Sequence, residues 1–145
     1  MEYTDDQKIA LDNMIAWSTN NVWRHTLNGA AGTGKTTILK EFLNRVTIPR
    51  HRIAVSAPTH KAKKVVQDAT NVRSFTIQKL LGLRPNVEMD DFNPHKPVFL
   101  PTAEEAIGDF KIVIIDEASM INKAAFELIE KRAKHHNTKI LFVGK

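Results

Sequence analysis

The sequence predicts an α/β fold built on a parallel sheet. Short apolar runs alternate with helical patterns along the 145-residue chain, the signature of strand–helix repeats. One run, "KIVIIDE" (Lys111 to Glu117), is almost continuously apolar, as expected of a parallel strand covered on both faces. A glycine-rich turn, "NGAAGTGKTT", separates a strand-like run from a helical one. The length suits about one domain. The composition, 42% hydrophobic and 26% charged, is that of an ordinary globular chain.

The elements follow in order. Thr4 is a candidate N-cap, with Asp5 and Asp6 in the first turn, where the helix dipole favours negative charge. Ile9, Leu11, Met14, Ile15 and Trp17 then suggest an apolar helical face ending near "STNN". "VWRHTLN" (22–28) reads as the first strand, and residues 34–46 as a helix burying Ile38, Leu39, Phe42 and Leu43. "RIAVSAP" (52–58) is a second strand, followed by a helix over 59–69 carrying Lys61, Lys63 and Lys64. "SFTIQKLLG" reads as a short helix with Ser74 as cap and Gly82 as stop. Residues 84–109 hold Pro85, Pro94, Pro97 and Pro101 and read as a small insertion, with short strands or a hairpin near Val87–Met89 and Pro97–Leu100. A strand over 111–117, a helix over 123–136 and a last strand, "TKILFVG", complete the order.

Composition removes several classes of chemistry. Without cysteine the chain has no disulfides and no thiolate metal sites. The N-terminus is acidic and lacks the apolar core of a signal peptide, and no apolar run approaches the roughly 20 residues of a membrane span. A cytoplasmic protein with no membrane partner is expected. The six histidines are scattered, and "KHHNTK" (134–139) reads as a polar helix end rather than a metal site. A net charge of +5 permits a polyanionic partner without requiring one.

The glycine-rich turn carries the chemistry. Gly29-Ala30-Ala31-Gly32-Thr33-Gly34-Lys35-Thr36, followed by Thr37, fits the P-loop pattern G-x-x-x-x-G-K-[ST], with a strand before it and a helix after it. Glycines let the backbone curl so that successive N–H groups face phosphate oxygens, and the helix N-terminus points its dipole at the same anion. Lys35 would reach the β- and γ-phosphates, and the Thr36 hydroxyl would bind Mg²⁺. A strand buried on both faces has no local use for the carboxylates of Asp116 and Glu117 at its end, which is where open α/β sheets bind ligands. Asp116 would hold Mg²⁺, and Glu117 would orient and deprotonate an attacking water. In "SAPTHKAKK", Ser56, Thr59 and His60 would lie at the same sheet edge, and hydroxyls with helix N-terminal amides suit a sugar–phosphate backbone.

"GAAGTGKTT", "APTHKAKK", "SFTIQKLLG" and "DEASM" resemble, in order and spacing, motifs I, Ia, Ib and II of superfamily 1 DNA helicases, nearest to the 5′-to-3′ branch of RecD-like and Dda-like enzymes. The N-terminal "YTDDQKIAL" resembles that group's Q motif, which implies that Gln7 reads the adenine edge. The resemblance covers nearly the whole chain. It implies a RecA-like three-layer domain over 1–83 and 110–145, with an inserted subdomain at 84–109, that uses ATP and Mg²⁺ and tracks along single-stranded DNA. Pro58, Thr59, His60 and Lys61 of motif Ia and Thr76 of motif Ib would face the DNA. Gln78 stands where motif Ib usually has histidine. The insertion falls where such helicases carry a strand-separating pin, with Phe92 or Phe99 as candidate tip residues.

In that family "LFVG" continues into motif III and a second RecA-like domain, whereas this sequence stops at Gly144-Lys145. A motor domain cut after its fourth core strand is therefore expected, with spatial order 1-4-3-2 and the P-loop strand at an edge open to self-association. Such a domain would bind nucleotide, hydrolyse it slowly and unwind nothing. Two other classes remain open at this point: another P-loop ATPase or nucleotide kinase, and a module that binds nucleotide or DNA without turnover.

Overall fold

The computed structural model describes residues 4–27, 35–57, 72–81 and 106–144. The expected helix over 59–69, the Gly82 stop, the strands near 87–89 and 97–100, and Phe92 and Phe99 lie outside the described residues. Helix α1 (Asp5–Ser18) begins at Thr4, whose side chain accepts from the Gln7 N–H at 3.2 Å while Gln7 Oε1 accepts from the Thr4 N–H at 2.9 Å. This reciprocal capping box satisfies two amides of the first turn. Leu11, Met14 and Trp17 are buried, but Ile9 is 58% exposed and does not belong to the expected apolar face. Two residues before Leu11, it is turned about 200° around the helix from it.

Strand β1 (Arg24–Leu27) leads toward α2 (Lys35–Arg45), on which Ile38, Leu39, Phe42 and Leu43 are all buried as the periodicity predicts. A turn of 3₁₀ helix at Arg50–Arg52 enters β2 (Ile53–Ala57). Strand β3 (Arg73–Thr76) runs directly into the short helix α3 (Ile77–Leu80). A second 3₁₀ turn, Ala106–Asp109, precedes β4 (Ile112–Ile115), and a third, Ala118–Met120, follows it. Helix α4 (Lys123–His136) starts at an Asn122 cap and ends in left-handed Asn137, and β5 (Lys139–Val143) completes the order.

Among the described residues the sheet has five strands in the order β1-β5-β4-β2-β3, all pairing in parallel. The four expected strands take the expected order, with the P-loop strand β1 at one edge. The fifth is a correction: Arg73–Thr76 is a strand, not the start of a helix, and Thr76 rather than Ser74 is the cap, accepting from the Lys79 N–H at 3.2 Å. Pairing with β2 satisfies the backbone of this segment and lets Phe75 pack on Phe110 at 5.5 Å between ring centroids. An extra helical turn would have given up both.

Two apolar clusters flank the sheet. On one face α1 and α2 pack against Ile53, Val55, Ile112, Ile114, Leu141 and Val143. On the other, α3, the Ala106–Asp109 turn and α4 pack against Ala54, Val113, Ile115, Ile140 and Phe142. The alternation along β2, β4 and β5 is thus apolar on both sides, as a doubly covered parallel sheet requires.

Candidate functional site

All four residues of β4 are buried, and the strand ends in half-buried Asp116 and exposed Glu117. The Asp116 N–H donates to the Ser56 carbonyl at 2.9 Å, which carries the β2–β4 ladder one residue past the strand. Strand alternation therefore puts Asp116 on the side of Ile112 and Ile114, the face that carries α2. Glu117 follows in a left-handed conformation, φ 55° and ψ 39°. That conformation costs a non-glycine residue about 1 kcal/mol or more, and such outliers gather at functional sites. Neither carboxylate has an ion-pair or hydrogen-bond partner among the described residues.

The acid turn is tied to the strand that feeds the glycine-rich segment. The Gly144 N–H donates to the Leu27 carbonyl at 3.1 Å, at the end of β1. Gly144 has φ +121°, and a Cβ there would meet the Ala118 backbone nitrogen at 3.4 Å and Glu117 Cα at 3.7 Å. One residue thus spans from the last residue of β1 to the backbone of the acid turn. The motif spacing gives no hint of this contact; the only sequence signal is a glycine directly after the last strand. Helix α2 (Lys35–Arg45) carries Lys35, Thr36 and half-buried Thr37 in the first of its described turns.

The other candidate residues fall as follows. Gly29, Ala30, Ala31, Gly32, Thr33 and Gly34, together with Pro58, Thr59, His60 and Lys61, lie outside the described residues. Gln7 Oε1 is engaged by the Thr4 amide in the capping box. Thr76 sits at the end of β3, its hydroxyl accepting from Lys79 as a helix cap while keeping its own proton to donate. Ser56 is not a surface contact: it is 0% exposed, because β2 is flanked by β4 and β3 and covered on both faces. Among the described residues no group of three metal-ligating side chains occurs. Magnesium needs only one or two protein oxygens when phosphates and water supply the rest, and the Asp116 carboxylate fits that demand.

The family described as "AAA domain" matches residues 2–145. The chain belongs to this family. This AAA domain is 26% identical over 129 residues to the ATP-dependent DNA helicase dda of Enterobacteria phage T4, covering 88% of the chain and 28% of that protein. It is 28% identical over 129 residues to the ATP-dependent DNA helicase Pif1 of Psychrobacter sp. (strain PRwf-1), covering 89% of the chain and 18% of that protein. The chain therefore spans less than a third of the length of these curated relatives. Among solved structures, a study of DNA unwinding at forked dsDNA by two coordinating Pif1 helicases contains a chain with TM-score 0.69 and 23% identity, covering 99% of this chain and 33% of that one. The Pif1 helicase from Candida albicans gives TM-score 0.65 at 20% identity, covering 100% of this chain and 33% of that one. The two structural likenesses establish the RecA-like α/β fold. Together with the family match and the curated relatives, they bear out the resemblance to 5′-to-3′ superfamily 1 helicases drawn from the motifs.

Proposed function

We propose that this chain is the ATP-binding motor domain of an ATP-dependent DNA helicase that translocates on single-stranded DNA. The observation that carries the reading is the carboxyl edge of the sheet. There the acid pair ending β4 is linked through Gly144 to the end of β1, and α2 begins at Lys35 of the P-loop pattern. The names of two curated relatives, both ATP-dependent DNA helicases, agree with it.

In this reading the amides of Gly29–Gly34 and the α2 N-terminus bind the triphosphate, and Lys35 reaches its β- and γ-oxygens. Thr36 and Asp116 hold Mg²⁺, which when bound neutralises charge shared between those phosphates. Glu117 orients the attacking water and accepts its proton. Gln7 reads the adenine edge, and Pro58, Thr59, His60, Lys61 and Thr76 face the DNA strand. Residues 84–109 form the inserted subdomain. In the whole protein a second RecA-like domain closes over the nucleotide. The outer edge of β1, which among the described residues pairs with β5 alone, provides a surface for self-association.

The deciding experiment is Lys35→Ala. ATP affinity should be lost while the far-UV circular dichroism and thermal midpoint stay those of the parent chain. Retained ATP affinity would end the P-loop assignment. Phosphate release stimulated by single-stranded DNA separates a helicase motor from a nucleotide kinase, which would respond to a nucleotide acceptor instead.

A further inference from the structure

The edge of the sheet opposite the candidate nucleotide site is basic strand by strand. Arg24 opens β1, Arg52 precedes β2, Arg73 opens β3, Lys111 precedes β4 and Lys139 opens β5. Because every strand is parallel, all five entries lie at the same edge. In the described residues leading into the strands (19–24, 46–53, 72–73, 106–112 and 137–139) there are six Lys or Arg and one carboxylate, Asp109.

Helix dipoles account for part of this charge and not for the rest. The carboxyl ends of the long helices lie at this edge and favour cations in their last turns, which explains Arg45, Lys134, His135 and His136. The strand-entry residues are outside those turns. Arg24, Arg73 and Lys111 are exposed, and none has a carboxylate partner among the described residues. The Arg24 guanidinium lies 5.7 Å from the ring of Phe126, and that of Arg73 5.2 Å from Phe75 and 5.7 Å from Phe110. These contacts hold both arginines on the α4 face of the sheet. Alternation puts Lys111 on the same side as Val113, so the three cations share a face. From β1 to β3 is four strand spacings, about 19 Å, close to the length of five or six stacked nucleotides at roughly 3.4 Å each.

The β1–β5 end of this row opens into a cavity of about 410 Å³ whose lining includes Asn20, Asn21, Trp23, Lys134 and Asn137. Lys134 Nζ stands 5.8 Å from the Trp23 ring and pairs with Glu130 of the preceding turn at 3.0 Å. Amide side chains, a cation and an indole suit sugar, phosphate and base together better than they suit a carboxylate-rich peptide. Lys139 belongs to the scaffold of this corner, since its ammonium donates to Asn20 Oδ1 at 3.1 Å and to the Val22 carbonyl at 2.7 Å.

We infer that this amino edge, led by Arg24, Arg73 and Lys111, is a second nucleic-acid contact that grips the phosphate backbone on the opposite side of the sheet from the expected motif Ia track. The surface needs neither ATP nor the acid pair. Its test is the salt dependence of oligonucleotide affinity, measured by fluorescence anisotropy on the chain, on the Arg24→Gln/Arg73→Gln/Lys111→Gln variant and on a Thr59→Ala/His60→Ala reference. Three lost phosphate contacts should lower the slope of log K against log salt by about 2, at about 0.7 per single-strand contact, with the reference retaining that component. Lys111→Gln alone, which disturbs no ring contact, should lower it by about 0.7. Arg24→Lys/Arg73→Lys should restore the slope. An unchanged slope in the glutamine variants overturns the inference. So does unchanged oligonucleotide binding with loss of polyglutamate binding, which would assign the edge to an acidic protein.

Discussion

Two buried hydroxyls should respond to deletion with opposite signs. Thr138, one residue before β5, is 1% exposed; its Oγ1 donates to the Phe110 carbonyl at 2.9 Å, with the Ile107 carbonyl at 3.2 Å. Ser56, within β2, is 0% exposed and its Oγ has no hydrogen-bond partner among the described residues. Thr138→Val keeps the side-chain shape and removes the donor. The Ile107 carbonyl retains the Phe110 N–H at 3.2 Å, whereas the Phe110 carbonyl loses the shorter of the two hydroxyl contacts. A buried acceptor stripped of its partner costs about 1–3 kcal/mol. Ser56→Ala removes a group whose desolvation is already uncompensated, so a cost of similar size is relieved and only the packing of one oxygen is lost. The expected change runs from neutral to about 1 kcal/mol of added stability. The two variants should therefore differ by about 2 kcal/mol, or about 6 °C in thermal midpoint at roughly 3 °C per kcal/mol. Urea unfolding followed by circular dichroism, with slopes compared to confirm a common transition, measures both. If Ser56→Ala loses more than about 1 kcal/mol, or Thr138→Val loses nothing, the assignment of satisfied and unsatisfied hydroxyls is wrong.

Other outcomes follow from the same structure. Glu117→Gln should retain ATP affinity and slow single-turnover hydrolysis by about 10²–10⁴-fold; unchanged hydrolysis would remove Glu117 from the reaction. Phe42→Ala, at a 0% exposed position in the cluster shared by α1, α2 and the sheet, should cost about 3–5 kcal/mol by chemical denaturation. A loss below 1 kcal/mol would mean that this helix is not packed as described. Burial lowers the pKa of His25, which stacks on Trp17 at 5.7 Å, below the ordinary 6.5. The unfolded chain then binds the proton more readily, so the His25 contribution is present above pH 6.5 and is lost as the pH falls toward the folded value. His25→Phe should flatten that part of the stability profile below pH 6.5, and an identical slope in the variant would refute the assignment.

Most of the fold was legible in the order of residues, and so were the residues of the candidate site. Apolar periodicity gave α2 and α4 nearly to the residue, because an amphipathic face repeats every turn whatever it packs against. The all-apolar run of β4 announced a doubly covered strand, and its terminal acids marked the edge proposed as the site. Capping chemistry fixed the start of α1 for the same reason, since Thr4 and Gln7 meet within one turn. The sequence failed where the deciding partner is remote. "RSFT" has no strong local preference, and only the open side of β2 makes it a strand. Ile9 is exposed and Ser56 buried because of what lies across from them, not because of their own type. The left-handed turn at Glu117, the bond from Gly144 to Leu27 and the gathering of five cations at one edge likewise arise from parallel pairing between distant segments. Local patterning specifies elements because its interactions close within a few residues; joining those elements into one edge requires tertiary contacts, and there only the folded sheet decides.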